Sequence, residues 1–146
     1  MPVGLLLITH NHLGDELLKT AINTFNGCPL QVRVLHVYSG VVDPDLSLAQ
    51  ARSLVAELDA GAGVLVLTDI YGSTPSNIAT RLLDGGSIIV VTGVSLPMLI
   101  RVLNYANLSL PELADKAVSG GYEGIVMLNE THGVRLDAEA GSHDYQ

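Results

Sequence analysis

Val64-Leu65-Val66-Leu67-Thr68 runs without a break into Asp69-Ile70-Tyr71-Gly72-Ser73-Thr74-Pro75. An uninterrupted aliphatic run of this length reads as a strand buried on both faces, which is what a parallel sheet between two helix layers demands. Gly72 and Ser73 form a small-residue turn. Thr74 then reads as a helix N-cap and Pro75 as the first helical residue, where a missing N–H costs nothing. The N-terminus repeats the plan: Val3-Gly4-Leu5-Leu6-Leu7-Ile8-Thr9 ends at His10, and a helix-like segment follows. Open α/β sheets place their chemistry at the carboxyl ends of the strands, so His10 and Asp69 stand where function is expected.

The alternation continues along the chain. The first strand is about Val3 to Thr9, followed by a helix from Gly14 to about Phe25 with Leu17, Leu18, Ala21, Ile22 and Phe25 on one face. A second strand is read over Gln31 to Tyr38, with His36 as a strand histidine. A second helix covers about Leu46 to Asp59, with Asp43-Pro44-Asp45 as its start signal. The third strand, Gly63 to Thr68, leads to a helix ending at Asp84 before Gly85-Gly86. A fourth strand, Ser87 to Thr92, precedes a helix from Pro97 to about Tyr105. The fifth helix begins at Leu110-Pro111-Glu112 and ends at Gly120-Gly121, and Glu123 to Leu128 reads as one more short strand. The expected architecture is α/β: a flavodoxin-like, doubly wound parallel sheet of order 2-1-3-4 with helices on both faces.

A chain of 146 residues with 48% hydrophobic and 15% charged residues is long and apolar enough for one packed domain. Its net charge of -8 argues against nucleic acid or an anionic membrane as a partner, since both require a basic patch. The single cysteine, Cys28, excludes an internal disulfide and a thiolate metal site, and is expected to be a small buried or half-buried residue. No stretch reads as a signal peptide or a spanning helix, so a cytoplasmic protein without membrane insertion is expected.

In the order 2-1-3-4 the first and third strands are neighbours, so His10 and Asp69 are expected in one crevice. A carboxylate accepting the N–H of one imidazole nitrogen leaves the other as a nucleophile, and favours the cation formed once that nitrogen is phosphorylated. Gly72, Ser73 and Thr74 would supply donors to a phosphoryl group at a helix start. No nucleotide-binding fingerprint occurs, which makes a phosphoprotein a better donor than ATP and leaves no cofactor expected. His10-Asn11-His12 is also half of a metal-site spacing, with Asp15 or Asp69 as further candidates, and a metal-dependent hydrolase using His10, His12 and Asp69 is a rival reading. The sequence offers no clear third ligand, so no metal is expected. His132 and His143 read as exposed tail residues, Arg101 as facing solvent, and Met98 and Leu99 as core or dimer contacts.

Three segments together carry a family resemblance: Ile8-Thr9-His10, Thr68-Asp69-Ile70-Tyr71-Gly72-Ser73-Thr74-Pro75-Ser76-Asn77 and Thr92-Gly93-Val94-Ser95-Leu96-Pro97-Met98-Leu99. In order and spacing the chain resembles the enzyme IIA component of the mannose family of the bacterial sugar phosphotransferase system (PTS). The resemblance implies a IIA domain over residues 1–128 and a polar tail over 129–146. It implies that His10 accepts a phosphoryl group on Nε2 from phospho-HPr and passes it to a IIB component, with Asp69 as its carboxylate partner. It further implies a homodimer in which the last strand, antiparallel to the others, is exchanged. Two related readings are a regulatory phosphoprotein of a permease-less phosphorelay and a carrier subunit for a dihydroxyacetone kinase.

Overall fold

Among the described residues four parallel strands form one sheet in the order β2-β1-β3-β4, with five helices packed on its two faces. The coordinates are a computed structural model that describes residues 2–40 and 43–130. The elements are β1 (Gly4–His10), α1 (Leu13–Phe25), β2 (Val32–Val37), α2 (Pro44–Leu58), β3 (Val64–Thr68), α3 (Thr74–Thr80), β4 (Ile88–Thr92), α4 (Leu96–Asn104) and α5 (Leu110–Glu123). The expected strand order and doubly wound arrangement are therefore present.

Period-two alternation divides the central strands between two cores. Leu5, Leu7, Leu65 and Leu67 face α1, α4 and α5, meeting Ala21, Leu99, Leu103 and Leu113. Leu6, Ile8, Val64 and Val66 face α2 and α3, meeting Leu48, Ala51, Ile78 and Ala79. All eight strand residues are fully buried. Each such side chain contributes about 1.5–3 kcal/mol of burial, which makes β1 and β3 the rigid spine of the molecule.

Register carries that rigidity to the carboxyl ends. Ile8 pairs with Thr68 and His10 pairs with Val37, so the loops after β1, β2 and β3 open on one end of the sheet. The helices that leave this end are capped by short polar residues followed by proline. Asp43 accepts from the N–H groups of Asp45 and Leu46 before Pro44 and α2. Ser95 accepts from Met98 N–H before α4. At the opposite end of the sheet, where Leu110 packs beside Gly63, Ser109 forms a capping box with Glu112 before α5.

Several sequence expectations are corrected. Ser73, not Thr74, is the N-cap of α3, and Thr74 is its first helical residue. The helix stops at Thr80 rather than Asp84. Its continuation tightens into bonds from Leu82 N–H to Ala79 O and from Leu83 N–H to Thr80 O, while the Asp84 carboxylate draws the N–H groups of Gly86 and Ser87 into a turn. The glycine pair Gly120-Gly121 does not end α5. A Cβ on Gly120 would lie 2.6 Å from Arg101 Cβ, and one on Gly121 2.9 Å from Met98 Cε. These glycines let α5 approach α4 closely, and the helix runs on to Glu123. Residues 124–130 then carry no regular structure in the single chain, with Ile125 and Met127 largely exposed. Cys28 is exposed, its thiol donating to Leu30 O at 3.3 Å. Arg101 is half-buried on Ser119 and Glu123 rather than free in solvent, and Met98 and Leu99 are core residues. The readings for His132, His143 and the tail beyond residue 130 lie outside the described residues.

Candidate functional site

His10 is the last residue of β1 and Asp69 the first residue after β3, so adjacent strands deliver both to the same crevice. The Asp69 side chain is nearly buried, at 6% exposure, whereas the His10 ring is 31% exposed and open on one side. One carboxylate oxygen, Oδ2, serves His10 twice: it accepts the backbone N–H at 2.8 Å and faces ring Nδ1 at 2.9 Å. The other oxygen accepts the Ile70 backbone N–H at 2.9 Å.

Burial opposes the charge on Asp69, but the hydrogen bonds from the His10 backbone, the His10 ring and Ile70 outweigh it and hold the carboxyl below its ordinary range. With its carboxyl held below the ordinary range, Asp69 can only accept, which in a neutral imidazole assigns the proton to Nδ1 and the lone pair to Nε2.

A cleft of about 390 Å³ opens in front of the ring, lined by His10, Val37, Ser39, Gly40 and Thr74. Of the three turn residues read as phosphate donors, Thr74 reaches this cleft. Gly72 holds φ at +87°, a left-handed conformation that glycine adopts without strain, and it aims the chain into α3. Ser73 Oγ is turned back to donate to Ile70 O at 2.7 Å, which closes the loop beneath Asp69. A larger groove of about 580 Å³ runs between β2 and α2 past His36, Leu46 and Leu54 without containing His10. Convergent polar groups, rather than volume, mark the site.

The wall formed by Val37, Ser39 and Gly40 was not read from the sequence. The signal was present: order 2-1-3-4 sets the end of β2 beside the end of β1, so the loop after β2 must border the same crevice. The grouping of His10, His12 and Asp69 is not formed. His12 turns instead to Asp15, with Nδ1 3.2 Å from Oδ2, and His36 of β2 joins that carboxylate. Among the described residues, His12, Asp15 and His36 are the set placed to share an ion. No helix among them is long and apolar enough to cross a membrane.

The family described as PTS system fructose IIA component (EIIA-man) matches residues 4–118. The chain belongs to this family of IIA components. The mannose-specific EIIAB component of the PTS from Escherichia coli K12 is 31% identical to this IIA chain over 131 residues, 88% of the chain. The chain spans only 40% of that curated relative's length. Among solved structures, a PTS IIA protein associated with a fucose utilization operon in Streptococcus pneumoniae is 28% identical with a TM-score of 0.71, over 85% of this chain and 91% of that one. The mannose/sorbose-specific IIA subunit from Enterococcus faecalis shares the fold, with a TM-score of 0.76 at 23% identity over 88% of this chain and 96% of that one.

Proposed function

We propose that this IIA component is a cytoplasmic phosphoryl carrier that takes a phosphoryl group from phospho-HPr on His10 and yields it to a IIB component. The observation that carries the reading is the contact of Asp69 Oδ2 with His10 Nδ1 at 2.9 Å, which leaves Nε2 as the nucleophile at the open side of the ring. In the forward step the Nε2 lone pair forms a bond to phosphorus. The phosphorus–nitrogen bond of the donor phosphohistidine breaks, and the donor imidazole leaves with that electron pair. The proton on Nδ1 stays in place, and the imidazolium that results is balanced by Asp69.

Phosphoryl transfer through a loose transition state asks for alignment and charge placement rather than many catalytic side chains. Thr74 lines the cleft, and its hydroxyl would donate to a phosphoryl oxygen, while Gly72 and Ser73 shape the turn that leads into the first N–H groups of α3.

The dimeric state belongs to the same reading. The outer edge of β4 has no strand partner among the described residues, and Ile125, Val126, Met127 and Leu128 stand exposed after α5. A shallow depression lined by Val91, Thr92, Gly93, Met98, Val118 and Ile125 adjoins that edge. An antiparallel strand from residues 123–128 of a second copy would pair the edge and cover this apolar strip. Residues 1–128 then form the IIA domain and 129–146 its tail.

The deciding experiment incubates the chain with enzyme I, HPr and labelled phosphoenolpyruvate. One acid-labile phosphate per chain is expected, and His10→Ala removes it. Labelling that persists in His10→Ala overturns the assignment.

A further inference from the structure

We propose that His12, Asp15 and His36 form a binding site for a zinc-class divalent metal ion on the rim of the crevice, separate from the His10–Asp69 pair. Two elements build it. His12 occupies the N-cap position of α1 and Asp15 its first turn, so their three-residue spacing sets both on one side of the helix start. His36 lies on the α1-facing side of β2, in step with Val32 and Val34, and its pairing with Thr9 fixes its height against that turn.

Asp15 Oδ2 is 2.5 Å from His36 Nε2 and 3.2 Å from His12 Nδ1, so two imidazole nitrogens converge on one carboxylate oxygen. The three donor atoms lie within 4.8 Å of one another. In a tetrahedral zinc site with bonds near 2.0–2.2 Å, donors sit about 3.3–3.5 Å apart. The His12–Asp15 separation of 3.2 Å is slightly short of this, and the Asp15–His36 pair would open by about 1 Å as the ion displaces the bridging proton. Two imidazoles and one carboxylate form the donor set of a zinc-class ion with an open fourth position, whereas magnesium and calcium favour oxygen alone.

A supporting contact lies behind the ligands. Tyr38 Oη is 3.3 Å from His12 Nε2. With Nδ1 on the metal, Nε2 keeps its proton and donates to Tyr38, which fixes the ring in the ligating tautomer. The His12 and His36 ring centroids are 4.9 Å apart, so neither ring must cross the other to bind. The positive end of α1 opposes a cation here, and Asp15 and Glu16 in the first turn offset it. The arrangement stands independently of the phosphocarrier reading, because none of its ligands belongs to the His10 cleft.

The test is equilibrium dialysis of the full chain, freed of metal by a chelator, against Zn2+, with Co2+ absorption reporting the coordination geometry. One equivalent with a tetrahedral Co2+ spectrum is expected in the parent and in His10→Gln. Asp15→Asn and His36→Gln should each weaken binding at least about tenfold, and Tyr38→Phe by up to about tenfold. Circular dichroism of each variant confirms that the fold is retained. Zn2+ affinity unchanged in Asp15→Asn and His36→Gln overturns the proposal by placing any bound ion elsewhere, at His10 or at His132 and His143. Absence of stoichiometric Zn2+ in the folded parent chain also overturns it, and reduces the cluster to hydrogen bonds that tie α1 to β2.

Discussion

Replacing Asp69 by asparagine keeps the size of the side chain and removes its charge, which isolates what the carboxylate does for His10. In the parent, Oδ2 accepts from the His10 backbone and faces Nδ1, while Oδ1 accepts from Ile70. An amide has one oxygen and one NH2 group, so it cannot satisfy all three. With its oxygen toward His10, the NH2 meets the Ile70 N–H. With the amide flipped, the NH2 meets the His10 backbone N–H and donates to Nδ1, which moves the ring proton onto Nε2 and blocks the nucleophile. A hydrogen bond to a charged partner contributes about 1.5–3 kcal/mol, and the 31% exposure of the ring favours the lower half of that range. At 1.36 kcal/mol per decade, about 1.5–2 kcal/mol predicts transfer slowed by about 10–30-fold. Rapid-quench measurement of single-turnover labelling by phospho-HPr reads this directly, and 15N NMR of the imidazole reads the tautomer. A rate within about twofold of the parent in a folded Asp69→Asn chain would refute the argument that the acid orients the ring, since about 10-fold is its smallest predicted effect.

Acid should weaken the chain through the same group. The folded pKa of Asp69 lies below its ordinary 3.8, so its contribution to stability is complete above that value and is lost as pH falls through the lower folded pKa. Urea midpoints of the parent should therefore drop between neutral pH and strongly acidic conditions more than those of Asp69→Asn. Midpoints falling equally in both would count against it. Gly14→Ala should destabilise by about 1–3 kcal/mol. Its Cβ would lie 2.8 Å from Thr9 Oγ1 and 2.9 Å from Val34 Cγ1, at the buried junction of α1 with the sheet. Chemical denaturation measures the loss, and a neutral result would show that α1 shifts freely on β1. Thr9→Val leaves the Gly14 N–H, now bonded to Thr9 Oγ1 at 2.9 Å, buried without an acceptor. A loss of about 1–3 kcal/mol is expected by the same measurement, and no loss would mean that the amide finds water.

The strand order was legible because the aliphatic runs of β1 and β3 are unmistakable and short helices alternate with them. That order alone brings residues 10 and 69 to one crevice. Where reading failed, the deciding contacts lay between elements rather than within one. Gly120-Gly121 looks like a helix stop, yet the pair is small because Arg101 and Met98 of α4 press against it. Asp84 looks like the end of a helix, yet its carboxylate folds the following turn. His36 could not be joined to His12 and Asp15 without the register that pairs it with Thr9. Ser39 and Gly40 carry no periodicity of their own, so only the placement of β2 beside β1 makes them part of the cleft wall.

The grip of Asp69 on the main chain at position 10 has one more consequence. Every residue but proline brings that N–H, so the acid keeps its seat even when the ring is cut away. A glycine there would leave a furnished socket, with the acceptor still poised and a gap the size of the missing heterocycle. Imidazole added from solution would dock in it as a detachable prosthesis and, on the proposed role of His10 as phosphoacceptor, would carry off the phosphoryl group as free phosphoimidazole.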